Sequence, residues 1–123
     1  MKTGNVEFDS SRLSYPSKEL DLEILCTQGL LHTTFHVQSH TISAHQNNPK
    51  EALLTFIIEG ISYSDIAARH EGGQRVSLSN KMQEILISSL KKNLPVTVQL
   101  GSSETIIKAE KFAKYYTHFK RDL

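Results

Sequence analysis

The chain has 123 residues, of which 38% are hydrophobic and 22% charged, the usage of one globular domain. Its formal net charge of +1 excludes a general electrostatic attraction to nucleic acid or to a membrane surface. The single cysteine, Cys26, excludes an intrachain disulfide, and no apolar run approaches the ~20 residues of a membrane-spanning helix.

The first third of the sequence predicts a polar arm followed by an antiparallel hairpin. Residues 1–19 are polar and rich in serine, which is typical of an arm, and residues 20–123 are then a single α+β domain. In residues 20–26, "LDLEILC", apolar side chains alternate with Asp21 and Glu23 as on a half-buried strand. Residues 30–43 alternate in the same way after a turn at Gly29, so the two runs predict a β-hairpin.

Residues 44–62 fit two different structures. Asn48 followed by Pro49 resembles the start of a helix, with Asn as the N-cap and Pro at the first helical position, and apolar residues then repeat at helical spacing. The run "LLTFII" is also typical of a buried strand, because β-branched and aromatic residues dominate it. The capping signal favours a helix, and an extended conformation over residues 52–59 is the alternative.

The second half of the sequence predicts a helix, a hairpin and another helix. Residues 77–93 carry an apolar stripe at helical spacing that ends in Lys91 and Lys92. Pro95 prevents the helix from continuing, and alternating residues near 95–107 predict a strand or hairpin before a C-terminal helix. The predicted fold is therefore α+β, with an N-terminal antiparallel β-hairpin, a middle amphipathic helix, a hairpin near 95–107 and a C-terminal helix.

Three histidines of the predicted hairpin suggest a contact surface rather than a metal site. His32, His36 and His40 follow one another at intervals of four residues. On a strand, that spacing separates neighbouring imidazoles by ~13 Å, too far for them to share one ion. We predict no metal and interpret this polar strand face as a partner-binding surface.

No catalytic or cofactor-binding motif occurs in the chain. The patterns GxSxG, GxxxxGK[ST], GxGxxG and HExxH are all missing. Cys26 lies on the apolar side of its predicted strand, where a buried, unreactive thiol is expected. The sequence therefore predicts no enzyme and no cofactor.

The C-terminal helix carries a second predicted contact surface. In "KAEKFAKYYTHFKR", lysines alternate with aromatic residues, and Tyr115 and Tyr116 cannot both point toward a core. An exposed tyrosine beside lysines is a favourable contact for a partner, because tyrosine is amphipathic and has few rotamers to order. We therefore predict that Lys111, Lys114, Tyr115 and Tyr116 contact a partner.

Residues 60–77, "GISYSDIAARHEGGQRVS", also fit two structures. The segment "SYSDIAARH" resembles the first helix of helix-turn-helix regulators, with Ala67 at the crossing of the two helices. That resemblance implies DNA contacts from Arg69, Arg75, Ser79, Asn80, Lys81 and Gln83. However, the turn glycine expected at position 71 is Glu71, and the glycines follow at 72 and 73. The alternative is a hairpin of two strands around the Gly-Gly turn.

The order of the apolar runs "EILC", "ALLTFIIEGIS", "ILISSLKKNLPVTVQL" and "EKFAKYYTHF" is similar in layout to domains of the invasion-associated locus B type. That resemblance implies an exported, non-catalytic, β-rich module. Those domains carry paired cysteines, whereas this chain has Cys26 alone, so no residue role is carried over.

These observations give two hypotheses for the function. The first is a small non-catalytic accessory or adaptor domain that binds another protein or a second copy of itself. The second is a helix-turn-helix transcriptional regulator that binds DNA through residues 61–92. The single cysteine favours the cytoplasm, and an exported or periplasmic location is the alternative if a leader has been removed.

Overall fold

The computed structural model describes residues 7–8, 12–16, 20–38, 40–101, 103–109 and 112–121. Within them, one antiparallel sheet contains all of the strands, in the order β1-β2-β3-β4-β7-β6-β5-β8-β9. The strands are β1 (Glu7–Phe8), β2 (Arg12–Pro16), β3 (Leu20–Thr27), β4 (Leu30–Val37), β5 (Glu51–Ile58), β6 (Ile61–Arg69), β7 (Arg75–Ser77), β8 (Val96–Leu100) and β9 (Ser103–Ile107). The helices are α1 (Asn80–Lys91) and α2 (Phe112–Arg121).

The predicted α+β class is wrong, because the described residues are mostly antiparallel strand with two short helices of 12 and 10 residues. The main error lies in the run after Asn48, which forms strand β5 and not a helix. The Asn48 side chain does accept a hydrogen bond from the Lys50 amide, at 3.0 Å, as an N-cap residue can. Here that bond closes a turn between strands. An Asn side chain can accept from a nearby amide both in a turn and at the start of a helix, so the sequence pattern does not distinguish them.

The predicted N-terminal hairpin is formed by β3 and β4. Leu22 pairs with Phe35 and Ile24 with Thr33, and Gln28 and Gly29 make the turn with positive φ angles of 53° and 79°. Ahead of it, β2 pairs with β3 and buries Leu13, so residues 12–16 of the predicted arm take part in the sheet.

Residues 61–77 form the hairpin β6–β7, the second of the two structures that the sequence allowed. The amide of His70 donates to the carbonyl of Arg75, and the amide of Gly73 donates to the carbonyl of His70. A helix-turn-helix requires a helix over residues 63–70, where the structure has strand β6. The predicted helix-turn-helix geometry is therefore wrong.

The inner face of the sheet forms the hydrophobic core together with the two helices. Phe35 of β4 and Phe56 of β5 meet edge to face, with ring centroids 6.1 Å apart. Leu20 and Val37 line the same small cavity as Val98 and Thr105, so the sheet curls until strands far apart in its order face one another. The helices add the buried side chains of Met82, Leu86, Leu90, Phe112 and Tyr116.

Candidate functional site

The position of α1 is fixed at its start by Ser79 and Asp65. Ser79 Oγ accepts a hydrogen bond from the amide of Met82, at 3.3 Å, and donates one to Asp65 Oδ2 on β6, at 2.8 Å. The bond from Ser79, with a second from the Ile66 amide, holds the pKa of the Asp65 carboxyl below its ordinary value of 3.8. An N-cap residue anchored to a strand therefore orients the whole helix.

The middle of α1 is fixed to β4 by a hydrogen bond between two polar side chains. Thr33 Oγ1 donates to Gln83 Oε1 at 2.6 Å, and Thr33 is 1% exposed. A buried hydroxyl is costly without a partner, so this bond selects one rotation of α1 about its axis. The rotation decides which residues of α1 face solvent beside β4.

A groove of about 570 Å³ opens along that side of α1, and we call it the α1–α2 groove. It lies between α1, the start of β4 and one residue of α2. Its lining residues are Leu31, Gln83, Glu84, Ile87, Ser88, Lys91, Lys92 and Tyr116.

The floor of the α1–α2 groove is apolar. Leu31 and Ile87 supply aliphatic surface, and Tyr116 is 5% exposed. The Tyr116 ring stacks on Phe112, with centroids 5.6 Å apart and planes 13° apart. Burial raises the pKa of the Tyr116 phenol above its ordinary value of 10.0, so the floor stays uncharged at neutral pH.

Charged residues of opposite sign lie at the two ends of the α1–α2 groove. Lys91 and Lys92 follow one another at the end of α1, and Lys91 Nζ lies 5.6 Å from the centroid of the Tyr116 ring. That distance allows a cation–π interaction. Glu84 lies seven residues earlier, which is about 10 Å along the helix axis. The groove thus has a basic end, an apolar middle and an acidic end.

The structure separates the residues that the sequence predicted to contact a partner. Tyr116 lines the α1–α2 groove and Lys114 is exposed on α2, while Lys111 and the side chain of Tyr115 lie outside the described part of the chain. His32 and His36 lie on the outer face of the sheet, away from the core. His40 lies beyond β4, where its Nε2 is hydrogen-bonded to Ser103 Oγ.

The residues predicted to contact DNA have mostly structural contacts within the chain. Arg69 Nε donates to the carbonyl of Ile42 at 2.8 Å, and a second nitrogen donates to the carbonyl of Pro49. Arg75 pairs with Glu23 at 3.5 Å. Ser79 caps α1 and Gln83 binds Thr33, as described above, whereas Asn80 and Lys81 are exposed at the start of α1.

Sequence reasoning missed the groove because its walls are distant in the chain. The pair Lys91 and Lys92 is visible in the sequence, but there it indicates only the end of a helix. Nothing in the sequence places Leu31 beside Ile87, since the rotation of α1 depends on the bond between Thr33 and Gln83.

No protein-family model matches the chain, and neither a curated protein nor a solved structure is significantly similar to it. Across the described residues, no three His, Cys, Asp or Glu side chains lie close enough to hold a metal ion. In the same part of the chain, neither helix has the length and apolar character needed to cross a membrane.

Proposed function

We propose that the protein is a small non-catalytic binding domain, which receives an acidic and apolar segment of a partner protein in the α1–α2 groove. The observation that carries the proposal is the apolar floor of Leu31, Ile87 and Tyr116 beside the paired ammonium groups of Lys91 and Lys92. The cytoplasmic location that the single cysteine favours remains a prediction.

The charges of the α1–α2 groove favour a short acidic segment over a nucleic acid. Two lysines attract carboxylates at one end, while Glu84 repels phosphates about 10 Å away along the helix. Apolar side chains between the two ends gain from burial, which a chain of phosphates and sugars would not supply. A segment with Asp or Glu at one end and bulky apolar residues after it complements the basic end and the apolar middle.

A randomised peptide library displayed on phage tests this proposal. Selection on the protein should enrich peptides that combine Asp or Glu with Leu, Ile or aromatic residues. Binding of the selected peptides, measured by fluorescence anisotropy, should weaken about tenfold or more in Lys91→Glu, because the substitution reverses the charge at the basic end.

The matched control is Lys81→Glu, which reverses an exposed charge on the first turn of the same helix, outside the groove. It should leave the affinity within about twofold of wild type. A selection that enriches no peptide, or peptides that bind both variants equally well, would contradict the proposal.

A further inference from the structure

The outer face of the sheet has an apolar half, formed by strands β6, β5, β8 and β9. Leu53 of β5 is 41% exposed and lies directly opposite Ile66 of β6. Ile106 of β9 is 55% exposed and pairs with Thr97 of β8. Thr97 in turn pairs with Ile57 of β5, so the three residues form one row across these strands. The uncharged residues between them are Thr55, Ser62, Ser64 and Gln99.

The sequence of β5 is that of a strand covered on both faces. An antiparallel sheet with one face in water alternates apolar and polar residues along each strand. In β5 the inward residues are Ala52, Leu54, Phe56 and Ile58, and the outward ones are Glu51, Leu53, Thr55 and Ile57. Aliphatic residues therefore point in both directions, and of the two outward ones Leu53 is exposed and Ile57 is partly buried.

The two halves of the outer face differ in charge. Strands β3, β4 and β7 present Asp21, Glu23, His36 and Arg75 on it. On the apolar half, Glu51 lies at the beginning of β5, and Glu104 lies on the outermost strand, β9, where it accepts a hydrogen bond from Gln99 Nε2 at 2.8 Å. The centre of the apolar half therefore carries no charge.

We propose that a second copy of this chain covers the apolar half of the outer face, so that two sheets stack face to face about a twofold axis. A twofold contact brings the same patch against itself, and any charge near its centre would face its own copy. An uncharged centre meets that condition, whereas the basic end of the α1–α2 groove does not. Sheets stack in this way at a separation of ~10 Å.

The size of the face predicts a reversible dimer. Four strands at ~4.8 Å each span about 19 Å, and the eight residues of β5 extend about 26 Å. Stacking would bury about 500 Å² on each copy, or about 1,000 Å² in total, near the lower limit for a specific interface. The dimer does not depend on the proposed groove function, because α1 and α2 pack against the other face of the sheet.

Sedimentation equilibrium of the full chain tests the dimer. Wild type should change from monomer to dimer over concentrations of about 5 to 500 µM. Ile106→Lys should weaken the association by about 30-fold or more, because two ammonium groups would enter an apolar interface. Leu53→Lys on the central strand should do the same, so the result does not depend on the folding of one variant.

The matched control is Leu30→Lys, because Leu30 is an even more exposed aliphatic residue, at 63%, that lies on β4 outside the apolar half. Its dimerisation should equal that of wild type, and circular dichroism should show the same fold for all variants. A wild type that stays monomeric throughout this range would overturn the proposal. An equal loss of dimer in Leu30→Lys and Ile106→Lys would overturn it as well.

Discussion

Arg69 joins the turn between β6 and β7 to a segment that is distant in sequence. It lies at the end of β6, and its guanidinium donates to carbonyls of the segment between β4 and β5. Gly73 lies against the same guanidinium, with a φ of +73°, and its carbonyl accepts from the amide of Ile42 at 2.7 Å. A Cβ at position 73 would lie only 3.0 Å from Arg69 Cζ. A side chain at position 73 would therefore have to displace the Arg69 guanidinium and also adopt an unfavourable backbone angle.

We expect Gly73→Ala to lower the free energy of unfolding by about 2 kcal/mol or more, because a positive φ and a displaced guanidinium both cost stability. Gly72→Ala is the matched control. Gly72 has a φ of +91°, but no atom lies within 4 Å of the Cβ position, so backbone strain alone should cost about 1 kcal/mol. Urea unfolding measures the free energy of unfolding of both variants. Equal decreases would show that the Arg69 side chain moves aside without a loss of stability.

Asp65 should make the stability depend on pH in the acid range. Its folded pKa lies below its ordinary value of 3.8, mainly because of the hydrogen bond from Ser79. A carboxyl with a lowered folded pKa stabilises the fold above its unfolded pKa, and that stabilisation is lost as the pH falls through the folded value. Stability should therefore fall below pH ~4, and Asp65→Asn should remove part of the decrease.

Thermal unfolding between pH ~2.5 and ~6 measures the contribution of Asp65. Glu84→Gln is the control, since Glu84 is an exposed carboxylate of α1 that makes no contact with the N-cap. If Asp65→Asn and Glu84→Gln change the decrease of stability at low pH by the same amount, the hydrogen bond from Ser79 has no specific effect on the pH dependence.

Two adjacent leucines, Leu53 and Leu54, test whether residues 51–58 form a strand. In a strand, Leu53 and Leu54 point to opposite faces, and the structure buries Leu54 completely while Leu53 is 41% exposed. Leu54→Ala should cost about 3 kcal/mol, and Leu53→Ala less than about 1 kcal/mol. Chemical denaturation at low micromolar concentration, where the monomer dominates, measures both. On the helix that the sequence favoured, both leucines belong to one apolar stripe and would lose similar amounts.

Elements with a local signature were predictable from the sequence. The hairpin β3–β4 combines strict alternation with a glycine turn, and α1 combines an apolar stripe with lysines at its end. Strand β5 was not predictable in this way, because Asn48 and Pro49 produce a capping pattern that the chain uses for a turn. The Gly-Gly turn of residues 72 and 73 was correctly included among the alternatives, but periodicity could not decide between strand and helix there.

The arrangement of the strands could not be predicted from local patterns. β4 pairs with β7, and β5 pairs with β8, although other strands lie between them in sequence. The α1–α2 groove depends on the same arrangement, since it joins Leu31 near the beginning of the chain to Tyr116 near its end. Tyr116 was predicted as a contact residue from its place beside lysines. Its stacking on Phe112 is a local contact between residues four apart on α2, whereas its burial in the fold depends on tertiary packing.

The two proposed surfaces are compatible in one assembly. The apolar half of the outer face and the α1–α2 groove lie on opposite sides of the sheet, so a dimer would leave both grooves open. A partner with two acidic segments could then occupy both grooves at once, and the second contact would form at a high effective concentration.

The strand order also has a consequence for the time course of folding. The hairpins β3–β4, β5–β6 and β8–β9 each join neighbours in sequence through short turns, and such hairpins close in roughly 1–10 µs. Two strand pairings link these hairpins, β4 with β7 and β5 with β8. They join residues about forty positions apart and therefore form more slowly. During synthesis, β5 keeps an unpaired edge until β8 has left the ribosome. Aliphatic residues on both faces of that strand make this interval the time of greatest exposure to misassembly.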